Sequence, residues 1–228
     1  MYLYIVNMRT LKLTAQYAGM LALLPEEARK KAESFKREED RIRSVVGALL
    51  IRRGIEETLR KRKISASYHI SYGKYGKPYV AEYPDICFSL SHSGDLITYV
   101  KAKKPIGIDV EMMNGDIQWS DFSSFLSLQE MKRVMSSESK ITEFYRIWTI
   151  HEAFAKMNGR GLSLFDTKTP LIDYDKGRIE FQEAEYMMKS FECENHMISV
   201  CMENLPDDVC VHLLAKDEWN DKVICKEQ

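Results

Sequence analysis

Hydrophobic and polar positions along the chain switch between two periods, and the switches mark out its elements. Tyr2 to Met8 is apolar nearly throughout and predicts a strand. A helix is expected within Leu13–Leu24. Pro25-Glu26-Glu27 then gives a helix start, with proline in the first turn and acids at the positive end of the dipole. From Glu38 to Arg62, apolar residues at 42, 45, 46, 49, 50, 55 and 59 keep the 3.6-residue period of one long helix with a core face. Ser65–Tyr72 has short-strand character, followed by a glycine-broken loop through Tyr79. Ile86–His92 and Leu96–Ala102 predict a hairpin turning at Ser93-Gly94-Asp95, and Ile106–Met112 a further strand. Residues 113–126 are irregular. Ser127 is a good N-cap for a helix to about Met135, and Ile141–Asn158 predicts another that stops at Gly159-Arg160-Gly161. The tail from Leu171 to Ala215 alternates in short runs and predicts one antiparallel sheet, with turns at Asp175-Lys176-Gly177, Glu194-Asn195 and Pro206-Asp207.

The element order is therefore β-α-α-βββ followed by β-α-α-βββ. The halves echo each other in order, without a sequence repeat. The expected fold is α/β (α+β): two pseudo-symmetric lobes, residues 1–104 and 105–228, each a small, mostly antiparallel sheet against helices, with a site in the cleft between them.

Charge sharpens this division. The net charge of −1 conceals 20 Lys+Arg against 11 Asp+Glu in residues 1–104, and 13 against 23 in the remainder. A basic half suits phosphates, an acidic partner protein or nucleic acid. The acidic second half and the lack of a nucleic-acid motif count against the last. The five cysteines are odd in number and form no CxxC, which predicts free thiols in a reducing cytoplasm. No apolar run approaches the ~20 residues that span a bilayer, and MYLYIVNMRT lacks the marks of a signal peptide.

Three stretches carry candidate chemistry. In IGIDVE, Ile106, Ile108 and Val110 share one strand face, and Gly107, Asp109 and Glu111 the other. Two carboxylates on one face are either exposed to solvent or close enough to raise each other's pKa unless a cation intervenes. A hard metal such as Mg²⁺ would suit them. In WTIHEAFAKMNGRGL, Glu152 and Lys156 stand four apart on one helix face, one turn beyond Trp148. Such pairs are commonly solvated and contribute only ~0.3–0.5 kcal/mol; alternatively Glu152 is a third metal ligand. In FSLSHSG, Ser89, Ser91 and Ser93 alternate with Phe88, Leu90 and His92, a small polar run that suits close approach of a phosphate. Ser91 and His92 point to opposite strand faces and cannot form a nucleophile–base pair with each other.

Together with Gly76-Lys77-Pro78, these stretches resemble, in order and spacing, the two-lobed 4′-phosphopantetheinyl transferases (the Sfp type). The resemblance spans residues 76–162, with a looser match from Pro25 to Arg43. It implies transfer of 4′-phosphopantetheine from coenzyme A to a serine of an acyl or peptidyl carrier protein, with release of adenosine 3′,5′-bisphosphate. By the same resemblance, Asp109, Glu111 and Glu152 bind Mg²⁺, and Lys156 reaches the phosphate. Asp109, Glu152 and Lys156 form the catalytic set. Lys77, Pro78, Ser91 and His92 contact the nucleotide and phosphates, and Lys31, Arg43 and Ser44 lie near the coenzyme A phosphates. It further implies a cytoplasmic monomer serving nonribosomal peptide, polyketide or fatty acid biosynthesis, without nucleic-acid or membrane partners. The alternative is a non-catalytic module binding coenzyme A or the carrier. One position departs from the family pattern: His151 stands where a lysine is usual. Residue 151 lies about 100° around the helix from Glu152, so the metal set is expected to survive.

Overall fold

The computed structural model describes residues 1–11, 16–117, 125–161, 170–206 and 210–213. Strand β1 (Tyr2–Asn7) is buried on both faces, which is why its sequence is apolar throughout rather than alternating. It pairs antiparallel with β5 (Leu96–Ala102), Tyr4 opposite Tyr99, and β5 pairs antiparallel with β4 (Cys87–Ser93), Thr98 opposite Ser91. On its other flank β1 pairs in parallel with β11 (Cys210–Leu213), giving the order β11-β1-β5-β4. Short helices α1 (Met8–Leu11) and α2 (Tyr17–Ala22) lead to α3 (Glu26–Glu33) and the long α4 (Glu38–Lys61). Ile42, Val45, Val46, Leu50, Ile55 and Leu59 of α4 pack on Tyr4, Val6, Ile97 and Tyr99, so the helical period and the strand alternation meet in one core. A two-stranded ribbon, β2 (Ile70–Tyr72) with β3 (Pro78–Val80), lies outside this sheet.

The second sheet is wholly antiparallel. Strands β6 (Ile106–Met112), β7 (Leu171–Asp173), β8 (Arg178–Phe181), β9 (Ala184–Cys193) and β10 (His196–Met202) run in the order β6-β10-β9-β8-β7. Helix α5 (Leu128–Ser136) starts from a complete capping box, in which the Ser127 hydroxyl accepts from the Glu130 amide and the Glu130 carboxylate accepts from the Ser127 amide. Helix α6 (Lys140–Asn158) ends at Gly159, in the left-handed conformation at φ 70°, whose amide donates to Ala155 O.

A third core joins the two sheets face to face: Leu3, Ile5, Leu96 and Val100 meet Ile106, Ile108, Val110, Ile198 and Val200. The layers run helix, sheet, sheet, helix. Each of these side chains contributes roughly 1.5–3 kcal/mol by leaving water, enough to hold the halves as one body.

The tail departs from its sequence reading. Its alternation predicts a single antiparallel sheet, but β11 crosses back and joins β1 in parallel. Alternation shows that a segment is a strand and not which edge it joins. Ser65–Tyr72 is a strand only over its last three residues. The expected helix in Leu13–Leu24 is described from residue 16 onward, and part of the irregular 113–126 stretch and of the Pro206-Asp207 turn lies outside the described residues.

Candidate active site in the interlobe cleft

Gly107 sets the position of the site. A Cβ on it would stand 1.9 Å from Ala153 O and 2.6 Å from Met157 N, so only glycine lets the backbone of α6 lie against β6. That approach brings Glu152 and Lys156 of α6 opposite Asp109 and Glu111 of β6. Strand β4 closes the arrangement from the other sheet. It runs beside β6 without a backbone ladder, and serine hydroxyls span the gap: the Ile108 amide donates to Ser89 Oγ at 3.1 Å and the Met112 amide to Ser93 Oγ at 3.1 Å. The serines that alternation places on one face of β4 thus meet the second lobe.

Leu90, Ser91, His92, Asp109, Glu111, Glu152 and Lys156 line a cleft of about 230 Å³. The Lys156 ammonium lies 2.6 Å from Asp109 Oδ1 and donates to Ser91 Oγ at 2.8 Å, while Ser91 Oγ donates to the same Asp109 oxygen at 2.8 Å. Asp109 is 3% exposed, and its other oxygen, Oδ2, is buried without a hydrogen-bond partner among the described residues. An ionised carboxylate oxygen left so is costly. Ser93 Oγ donates to Glu111 Oε2 at 2.7 Å. Burial raises the pKa of Glu111; the Ser93 bond and Lys156 oppose this, while Asp109 and Glu152 reinforce it. Burial and the charge of Asp109 likewise raise Glu152, against Lys156 and His151. Three carboxylates therefore line the cleft with one amine among the described residues. Among the described residues, no three acidic, His or Cys side chains already stand in metal-binding geometry.

His92 stands exposed at the rim, where the surrounding protein, Arg43 and Lys156 hold its pKa below the ordinary imidazole value. The other expected contacts lie outside this cleft. Arg43 donates to Asp40 Oδ1 and to the carbonyl of Gly94, both at 2.6 Å, and so ties α4 to the β4–β5 turn. Ser44 is half-buried on α4. Lys31 lies over the Tyr72 ring, 5.3 Å from its centroid, and Pro78 opposite Tyr72 in the ribbon. Lys77 reaches between the lobes and donates to Met157 O at 2.8 Å, near the end of α6; burial lowers its pKa to about 8.

His151 has a different setting. Its ring is 4% exposed, and Nε2 lies 2.7 Å from Glu130 Oε1, which also accepts from the Tyr174 hydroxyl. Burial alone would raise the Glu130 carboxyl. The bonds and charge of His151, the Tyr174 hydroxyl and the Ser127 amide overcome it and push the pKa down to about 2. Burial and the Glu130 charge push the Tyr174 phenol up. The residue that departs from the family pattern thus belongs to a buried polar set between α5, α6 and the β7–β8 turn. Sequence reading missed this set, although Ser127-x-x-Glu130 advertises the capping box. It also missed Ser93 as a partner of Glu111, because the partner comes from a different sheet.

No helix among the described residues is long and apolar enough to cross a membrane. The chain matches two family models: one described as 4′-phosphopantetheinyl transferase, N-terminal, over residues 12–104, and one as 4′-phosphopantetheinyl transferase superfamily, over residues 105–213. It is 28% identical over 199 residues to the 4′-phosphopantetheinyl transferase ffp of Bacillus subtilis, covering 83% of this chain and 88% of that one. It is 27% identical over 199 residues to the 4′-phosphopantetheinyl transferase Sfp of Bacillus subtilis strain 168, covering 83% and 87%. A further Bacillus subtilis 4′-phosphopantetheinyl transferase is 34% identical over 148 residues, 64% of each chain. With both halves matched in order, and the residues of three separate motifs gathered around one cleft, the chain belongs to the 4′-phosphopantetheinyl transferase superfamily and is a transferase of that group.

Proposed function

We propose that the chain moves 4′-phosphopantetheine from coenzyme A to a serine hydroxyl of an acyl or peptidyl carrier protein, with Mg²⁺ at the cleft carboxylates. The observation that carries this reading is the buried Oδ2 of Asp109, which has no hydrogen-bond partner among the described residues, beside two carboxylates whose pKa values are raised. Such a set fits a hard cation with oxygen ligands. Asp109, Glu111 and Glu152 would hold it, and when bound it would draw negative charge from the pyrophosphate oxygens.

The chain's own groups supply the rest. Phosphoryl transfer needs alignment and charge neutralisation more than covalent help. The carrier serine Oγ forms a bond to the phosphorus bearing pantetheine. The bond from that phosphorus to the bridging oxygen breaks, and the electron pair leaves on adenosine 3′,5′-bisphosphate. Lys156 is held at the cleft by Asp109 and Ser91, and its ammonium would offset the leaving oxygen's charge. The serine proton goes to a cleft carboxylate. Glu152, which lines the cleft on α6, is the carboxylate we assign to this step.

In this reading the basic lobe, residues 1–104, receives coenzyme A, with Lys31, Arg43, Ser44, Lys77, Ser91 and His92 toward its nucleotide and phosphates and Pro78 beside it, and residues 105–228 provide the carboxylates. Both walls of the cleft come from one chain, so a monomer suffices. The test is incubation with coenzyme A, Mg²⁺ and a panel of apo carrier proteins, followed by intact mass. A gain equal to one phosphopantetheine, absent with chelator, is the expected result. A panel left unmodified by a folded, coenzyme A-binding enzyme contradicts the reading.

A further inference from the structure

The three serines of β4 meet β6 in three different ways. Ser89 Oγ accepts from a backbone amide, that of Ile108. Ser91 Oγ donates to Asp109, within the cleft. Ser93 Oγ does both: it accepts from the Met112 amide at 3.1 Å and donates to Glu111 Oε2 at 2.7 Å. A hydroxyl has one proton, and the amide occupies its acceptor side, so that proton is directed at the carboxylate.

Ser93 is itself held from several sides. Its carbonyl accepts from Nε2 of His196, a ring only 3% exposed, at 3.1 Å. The next carbonyl, that of Gly94, accepts from Arg43. Gly94 has φ +51°, and a Cβ there would stand 2.8 Å from Met112 Sδ and 2.9 Å from His196 Nε2. The hydroxyl of Ser93 is therefore a fixed point supplied by the first lobe to a carboxylate of the second.

The geometry points to Ser93 as a positioning residue for the metal: it orients the Glu111 carboxylate toward the cleft before any cation arrives. This rests on the metal reading proposed above. A glutamate turns about several side-chain bonds, and ordering it only on binding costs affinity that a preformed hydrogen bond removes. Partners that orient metal ligands commonly govern 10–100-fold in metal affinity.

The test uses the full chain with coenzyme A present and Mn²⁺ as the probe, its free concentration followed by electron paramagnetic resonance. Ser93→Ala is expected to weaken Mn²⁺ binding about tenfold. Ser93→Thr, which keeps a hydroxyl, should restore it to within about twofold, whereas its isostere Ser93→Val should not. The Thr and Val pair decides the matter if the alanine variant does not fold. Ser89→Ala loses a seam bond of the same kind without touching a carboxylate, and should leave Mn²⁺ affinity within about twofold. In a Glu111→Gln background, Ser93→Ala should add no further loss.

Unchanged Mn²⁺ binding in Ser93→Ala and Ser93→Val overturns the assignment, as does an equal loss in Ser89→Ala, which would make the seam the cause. Failure of the wild type to bind Mn²⁺ with coenzyme A overturns the metal reading and this one together. Wild-type binding that Asp109→Ala abolishes and Ser93→Ala leaves intact overturns this one alone.

Discussion

Two carboxylate sets lie against helix α6, on different faces, and they differ in how completely the protein satisfies them. Glu130 is met by His151, the Tyr174 hydroxyl and the Ser127 amide, and its pKa falls to about 2 despite burial. In the cleft, one oxygen of Asp109 has no hydrogen-bond partner among the described residues, and the pKa values of Glu111 and Glu152 are raised. Adjacent residues on one helix, His151 and Glu152, therefore serve opposite ends. A buried charge completed from within holds the fold together. A buried charge left incomplete costs stability, and it persists where something outside the chain completes it.

The largest expected effect comes from breaking the complete set. Glu130→Ala strips a buried partner from His151 and Tyr174 and removes the α5 capping box, and should cost ~3–5 kcal/mol in urea unfolding. The same carboxylate gives acid sensitivity. Its folded pKa of about 2 lies below the unfolded carboxylate value of ~4.3, so its stabilisation is present above that value and is lost as pH falls toward 2. Wild type should lose stability steeply between about pH 5 and 2, and Glu130→Ala less steeply over that interval. Parallel acid profiles would remove Glu130 from this role.

Breaking the incomplete set should instead spare the fold and stop the chemistry. Asp109→Asn should lower turnover by at least ~10²–10³, with a melting temperature no lower than wild type. Near-normal turnover at ordinary Mg²⁺ would refute the role assigned to Asp109.

Gly107→Ala tests how α6 is held over the cleft. Its Cβ would meet the Ala153 carbonyl at 1.9 Å, and that backbone cannot turn aside as a side chain could. A loss of about 1–3 kcal/mol is expected, together with a fall in activity larger than the unfolded fraction explains. A folded variant with full activity would show that α6 need not lie so close.

The smallest effect concerns coenzyme A. His151 is buried with Glu130, outside the cleft lining, so His151→Ala should leave the coenzyme A dissociation constant within about twofold from pH 5.5 to 8.5 while lowering stability. Calorimetry across that range checks it. A pH-dependent gap between the two profiles would place the ring's charge at the ligand.

How much of this was legible in the sequence depended on where each residue's partner came from. Strands Leu96–Ala102 and Ile106–Met112 were readable to the residue, because their alternation, turn glycine and flanking breaks are local signals. The face shared by Gly107, Asp109 and Glu111 was readable for the same reason. Gly107 as the contact with α6 was not, since close approach leaves no mark beyond the glycine itself. The parallel partner of β11, the Ser93–Glu111 bond and the Glu130–His151–Tyr174 set all join segments far apart in the chain. The motif order pointed to one site, but the structure gathers only Ser91, His92, Asp109, Glu111, Glu152 and Lys156 of the expected residues around the cleft, and the packing of α6 on β6 is what sets three carboxylates beside one amine there.

The contrast between the two sets is tested most directly by neutralising one carboxylate in each at unchanged shape. Urea unfolding at pH 7 in the presence of chelator would compare wild type, Glu111→Gln and Glu130→Gln. Burial holds Glu111 above its ordinary pKa in the folded protein, so removing its charge should stabilise the metal-free chain. Removing the charge of Glu130 should destabilise it by a larger amount. Shifts of opposite sign are the predicted result. A Glu111→Gln chain that loses stability as Glu130→Gln does would contradict the account, because the cleft carboxylates would then be as fully satisfied as the buried set.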